Sequence, residues 1–205
     1  MKKFEFLGDA MCLDFLNTLH DVNAEDPEEE LLSDADLAAW AAQAGILSAS
    51  EASRLPAQQL KLLGKKRASL LDHAQALREA LRQMFRRAAR HGNIAPCDVE
   101  TLNRLLERFP AAGRIERLNG DWTMQWESQA GDAAQKIFYA IVKSAAELVA
   151  SGRWRALRVC ASDTCTWMFL DTSKNHSRRW CEMARCGNRD KVRRFRARRR
   201  RARPR

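Results

Sequence analysis

Cys160, Cys165, Cys181 and Cys186 are the residues whose type and spacing most plainly imply chemistry. They form two C-x4-C pairs separated by fifteen residues. Two thiolate pairs joined by a short return loop can fill the four corners of a tetrahedral structural zinc site. Each pair wraps one side of the ion, and the intervening segment forms a hairpin. His176, ten residues after Cys165, is the one competing ligand, so a set of three cysteines and this histidine stands open beside the all-cysteine set. A site filled entirely by protein ligands leaves no position for an activated water, which disfavours hydrolytic zinc chemistry. The rival readings are disulfides or unliganded buried thiols. No apolar stretch of signal-peptide type follows Met1, Lys2 and Lys3, and no apolar run is long enough to span a bilayer. The reducing cytoplasm is therefore the expected compartment, where disulfides are rare.

Charge is the second chemical signal. The 205 residues carry a net charge of +10, and the excess is all at one end. Residues 174–205 hold fifteen Lys or Arg against Glu182 and Asp190, a net of +13. The remaining 173 residues hold 21 basic and 24 acidic side chains, a net of −3. A mildly acidic body with a strongly basic end implies a polyanionic partner for that end. Arg189, Arg193, Arg196 and Arg200 fall on one helical face, and Lys191, Arg194, Arg198 and Arg201 on another. So many like charges repel one another on an isolated helix, whereas guanidinium forks suit phosphates and guanine edges. Val192 and Phe195 form a minimal apolar stripe, expected to dock this helix on the zinc module. The candidate nucleic-acid contacts are Arg178, Arg179, Arg185, Arg189, Lys191, Arg193, Arg194 and Arg196. Arg178 and Arg179 directly precede the third cysteine and are expected to be held rigidly. The arginines beyond Arg198 are expected to meet phosphate without reading sequence.

These groups need elements to position them. Leu70, Ala74, Leu77, Leu81, Met84 and Ala88 step at three and four residues, which predicts a long amphipathic helix ending at Gly92. Pro96 opens a further helix with Val99, Leu102, Leu105 and Leu106 inward. Ser33 with Asp36, and Ser48 with Glu51, are helix-start pairs, the second helix stopping near Pro56. Asn119-Gly120 between two apolar segments predicts a β-hairpin over 114–126, to which Phe4 and Phe6 could add a third strand. A helix from about Asp132 to Ser151 ends at Gly152. After it, Leu157 and Val159 lead as a strand into Cys160, a second strand follows Cys165, and Gly187-Asn188 is a turn with a candidate N-cap. The expected fold is mainly α with a small antiparallel β-sheet (α+β). A zinc-ribbon or treble-clef-like module follows, then a basic helix. The expected division is 1–152 for the helical body and 153–205 for the zinc module and its basic extension.

Near the N-terminus, Asp14, Asn17 and Thr18 stand among the apolar residues of a short helix. They either exchange local hydrogen bonds or line a small ligand pocket. Cys12 reads as core. No nucleophile–base pair, phosphate loop or ligand-spaced histidine accompanies them, so an enzyme is not expected.

The residues around the cysteines resemble the bacterial CGNR zinc-finger family, whose name is spelled by Cys186-Gly187-Asn188-Arg189. The likeness runs along RVC, F-x-D-x-S, N-x-S-R-R-W-C and CGNR, from Arg158 to Lys191. GDAMCLDFLNT, from Gly8, resembles the opening of the ABATE domain that usually precedes this finger. LREALRQMFRRAARHG and LNRLL extend the likeness through the middle. The resemblance implies a helical N-terminal domain with a small sheet, then a finger binding one structural Zn2+ through Cys160, Cys165, Cys181 and Cys186. It implies a cytoplasmic, nucleoid-associated transcription regulator that binds double-stranded DNA, with a candidate small-molecule effector and a homodimer as a plausible assembly. An RNA- or ribosome-associated zinc protein is the alternative. It would require exposed aromatics from Trp167, Trp180 and Phe195, which are expected to be packed.

Overall fold

The computed structural model describes residues 2–20, 27–55, 69–109, 111–118, 121–128 and 133–201. Its organising element is α1 (Met11–Leu16), in which Cys12, Leu13, Phe15 and Leu16 are all buried. Six residues cannot make a stable helix alone, so α1 exists through what surrounds it. It packs on α4 (Leu70–His91) and α6 (Ala133–Ala150). The α4 stripe is buried as its periodicity predicts, with Phe85 added. Ser69 and Asp72 form a reciprocal capping box at its start, and Gly92 closes it at φ 69°, the left-handed region open to glycine. The inward face of α6 is Ile137, Phe138, Ile141, Val142, Ala145 and Leu148, each worth roughly 1.5–3 kcal/mol for the larger side chains on full burial.

Around this centre lie α2 (Asp34–Gln43), α3 (Ala49–Arg54) and α5 (Pro96–Arg108). The last buries Leu102 and packs Leu105 and Leu106 on the core, while Val99, expected inward, is exposed in its first turn. Ser48 and Glu51 make the expected box, while Ser33 accepts from the Asp36 N–H without the reciprocal bond, because Asp36 turns to the N–H of Leu32. Pro56, the expected stop of α3, lies outside the described residues. Strands β1 (Ala111–Leu118) and β2 (Asp121–Ser128) pair antiparallel from Leu118↔Asp121 to Ala111↔Ser128. Asn119-Gly120, the expected hairpin turn, lies outside the described residues. Phe4 and Phe6 add no strand. The Phe4 N–H is taken by the Gln43 side chain at 3.1 Å, Phe4 is buried, and Phe6 lies against the Trp40 ring. Among the described residues, no helix is long and apolar enough to cross a membrane.

Past Gly152 (φ 73°) and a single 3-10 turn, β3 (Leu157–Val159) pairs antiparallel with β4 (Met168–Leu170). Alternation splits β4 and its leading residue between two apolar clusters. Met168 and Leu170 join Leu157 in the main core, while Trp167 and Phe169 join Cys160, Cys181 and Cys186 in a smaller one. A strand buried on both faces reads as an unbroken apolar run, which explains why WMFL shows no polar alternation. The chain ends in α7 (Asn188–Arg201), entered through a π-helical turn, Met183–Gly187. That turn displaces the expected cap: the Asn188 amide donates to the Ala184 carbonyl at 2.9 Å instead of closing the helix start.

Candidate metal centre and basic helix

The β3–β4 hairpin presents the first cysteine pair. Cys160 follows β3 and donates its N–H to the Trp167 carbonyl (2.8 Å), and a turn closed by Cys165 N–H on Ser162 (3.2 Å) carries Cys165 back beneath it. The second pair arrives on the returning segment, which the Ala161 N–H anchors at the Arg179 carbonyl (2.8 Å). Cys181 sends its own N–H to the Cys160 sulfur at 3.5 Å, and Cys186 lies in the π turn. The four Sγ atoms all lie within 4.8 Å of one another, with Cys165–Cys181 at 3.7 Å and Cys181–Cys186 at 3.6 Å. Tetrahedral Zn–S bonds of about 2.3 Å imply sulfur–sulfur edges of about 3.8 Å, so the donor set fits one zinc ion. Four thiols this close cannot all ionise without a cation. Donation from Cys165 and Cys181 holds the Cys160 thiol down at about 2, the same contact to Cys160 pushes Cys165 up to about 12, and Cys181 is also raised by Cys160. His176 stands apart, at φ 47° with Nδ1 3.3 Å from the Asp171 carbonyl; the sulfur cluster does not include it.

The loop between the pairs is ordered by Asp171. Its buried carboxylate accepts from the Ser173 hydroxyl and from the N–H groups of Ser173 and Arg178, which hold its pKa below the usual range. Arg178, expected among the nucleic-acid contacts, is turned inward. Its Nη1 meets Asp9 (2.8 Å), its Nη2 meets the carbonyls of Leu7 (3.2 Å) and Cys181 (2.5 Å), and Nε reaches the Trp180 carbonyl. The guanidinium also stacks 4.3 Å from the Phe169 ring centroid. Arg185 is committed in the same way, with a bidentate pair to Glu5 (2.9 and 2.6 Å) above the Trp167 ring. Both are fasteners between the finger and the N-terminal segment.

The other basic residues remain at the surface. Arg179 is exposed beside Trp180, which is half-buried. Arg189 is exposed, with Nη1 on the Thr164 hydroxyl at 2.6 Å. Arg193 pairs with Asp163 and Asp190, and Arg194 with Asp190, both keeping about half their side-chain surface in water. Lys191 and Arg196 are exposed. Asp190, 5% exposed, faces the finger. Val192 and Phe195 do not dock on the zinc module as expected: they are 48% and 60% exposed. The helix is fastened instead by polar contacts, Arg189 to Thr164 and Arg193 to Asp163.

Asp14, Asn17 and Thr18, read either as exchanging local hydrogen bonds or as lining a pocket, are all hydrogen-bonded within the protein. Asp14 Oδ1 accepts from the Gly8 N–H at 2.7 Å. Asn17 makes two bonds to Met168, accepting from its N–H (2.8 Å) and donating to its carbonyl (2.9 Å). Thr18 donates to the Phe15 carbonyl and accepts from Arg78, which also pairs with Glu29. The Asp14 and Thr18 bonds to Gly8 and Phe15 are of the local kind expected, whereas the Asn17 pairing with Met168 spans 151 residues, which no local pattern carries.

Residues 9–152 match the ABATE family model, described as "putative stress-induced transcription regulator", and residues 156–199 match the CGNR zinc finger. No curated protein matches the chain. A CGNR finger with four cysteines set to bind one metal ion has a single structural Zn2+ as its cofactor.

Proposed function

The chain belongs to the ABATE family of transcription regulators and ends in a CGNR zinc finger, and on that premise we propose that it binds double-stranded DNA through the finger and α7. The observation that carries this reading is the placement of charge. The excess of +13 within residues 174–205 extends from a helix whose first turns are tied to the metal module by Thr164 and Asp163. A cationic helix in a fixed pose can meet phosphates at low ordering cost and hold a register on the duplex. The ligands of the ion in this reading are Cys160, Cys165, Cys181 and Cys186, and the zinc supplies folding energy that a module this small lacks. The DNA contacts are Arg179, Arg189, Lys191 and Arg196, whereas Arg193 and Arg194 are paired with Asp163 and Asp190, and Arg178 and Arg185 hold the finger against the body.

The N-terminal part, 1–152, receives the regulatory signal in this reading. Its contacts with the finger through Glu5, Asp9 and Asn17 support that role, because a change in α1 or the segment before it moves groups that hold the module. The reading is tested by selecting bound fragments from random duplex DNA with the zinc-loaded protein, with and without a chelator. Enrichment of one sequence, lost on chelation, is the expected result. No enrichment, or efficient displacement by structured RNA, counts against it.

A further inference from the structure

The outward face of α7 is apolar along its centre and cationic along both edges. Among the described side chains of the helix Asp190 is the buried one, and Arg193 and Arg194 fold onto it, which marks the inward side. At about 100° per residue, Val192, Phe195 and Arg199 lie opposite Asp190. Lys191 and Arg198 run along one edge of this stripe, Arg189 and Arg196 along the other, and all four are exposed. The Arg199 guanidinium lies 5.8 Å from the Phe195 ring centroid. A 60% exposed phenylalanine between two rows of cations contributes nothing to the core.

We propose that this face enters the major groove of duplex DNA, with Val192 and Phe195 against base edges and the two cationic rows on phosphates of opposite strands. The inference rests on the DNA-binding reading above and assigns the readout within it. The major groove, about 12 Å wide, admits a helix, and the thymine methyl is the apolar group it offers. Cations on both flanks of a helix about 10 Å across can then reach both backbones. Charge decides against the other occupants. A second copy of α7 would set cation against cation. A membrane surface calls for a broad apolar face, and the described outward face offers Val192 and Phe195.

The experiment uses the full zinc-loaded chain, the best-enriched duplex from a random pool, and a scrambled duplex of equal composition. Phe195→Ala is expected to lower the ratio of affinities for the two duplexes about tenfold, the scale of one lost base-pair discrimination, and to leave the salt dependence unchanged. Lys191→Ala is expected to weaken both duplexes alike and to reduce the salt slope by about 0.9. Zinc content should be unaltered in both variants. If the wild type discriminates and Phe195→Ala keeps its ratio, or loses affinity equally for both duplexes, the groove assignment fails while DNA binding stands. Binding without discrimination also overturns the assignment. No duplex binding at all overturns both readings, as does Phe195-dependent binding to phosphatidylserine vesicles in place of DNA.

Discussion

Asn17 illustrates how a single amide can substitute for a strand. The outer edge of β4 exposes the N–H and carbonyl of Met168 and the N–H of Leu170; Asn17 takes the first two and the Gly8 carbonyl takes the third at 3.0 Å. An unpaired strand edge is a pairing hazard, and here it is closed from within the chain. Asn17→Ala should therefore cost about 2–3 kcal/mol, because both Met168 groups are left buried without partners. Chemical denaturation checks this, and a loss below about 0.5 kcal/mol would show that the edge is satisfied otherwise. Gly8 has no room for a side chain, since a Cβ there would lie 2.7 Å from the Leu13 Cβ.

Asp14 carries a different cost. Burial pushes its pKa from 3.8 up to about 6, only partly offset by the Gly8 N–H. The folded protein thus holds this proton more tightly than the unfolded chain does. Stability from this group is present below about pH 4 and is lost as pH rises to about 6, a penalty of about 2–3 kcal/mol above that. Asp14→Asn keeps an acceptor for Gly8 and removes the charge. The difference in unfolding free energy between variant and wild type should rise in the variant's favour between pH 5 and 7, while the zinc's own pH dependence cancels in the comparison. A difference that stays flat with pH would mean that Asp14 is solvated.

At the scale of elements, the sequence was most legible where one local rule decided the outcome. Ser48, Gly92 and Pro96 marked helix ends where α3, α4 and α5 begin or stop, whereas the Ser69 start of α4 was not singled out. The antiparallel pairing of β1 and β2 is the hairpin that Asn119-Gly120 led one to expect, and the four cysteines were legible because ligand spacing is itself a local pattern. Illegible were the features set by distant chain. β4 serves two clusters, Asn17 is spent on Met168 and Thr18 also accepts from Arg78, and Arg178 turns inward because Asp9 and the Leu7 carbonyl wait there. Nor could composition reveal that α7 is fastened by its polar side, leaving Phe195 in water. Shared burial of β4 also predicts how the finger fails. Cys181→Ser removes a central sulfur, and the protein should lose stoichiometric zinc and its duplex affinity. Leu157, Met168 and Leu170 should nonetheless stay packed, since their cluster lies on the other face. Amide exchange resolves this: fast exchange across 171–201 with β4 still protected is the expected pattern. Uniform protection would show that the sulfur cluster does not hold the segment.

At the scale of the whole molecule, the acidic body and the basic end are joined by opposite charges at the seam, Glu5 with Arg185 and Asp9 with Arg178. Two of the positive charges closest to the body are thereby neutralised in place, and the cations that remain point away from it on α7. The net −3 of the remaining chain repels a polyanion, so approach is favoured from the α7 side alone. This partition sets the salt dependence. Five to six outward cations should give a slope of about −4.5 to −5.5 in log affinity against log salt for a duplex. Replacing Arg185 by Ala frees the Glu5 carboxylate and loosens the seam, but it removes no phosphate contact. The variant should lose thermal stability and keep the wild-type slope, whereas Arg196→Ala should keep stability and lower the slope by about 0.9. Titrations of both variants from about 50 to 200 mM salt separate the two roles. If Arg185→Ala lowers the slope as Arg196→Ala does, the Glu5 pair opens when DNA binds and the seam itself belongs to the interface.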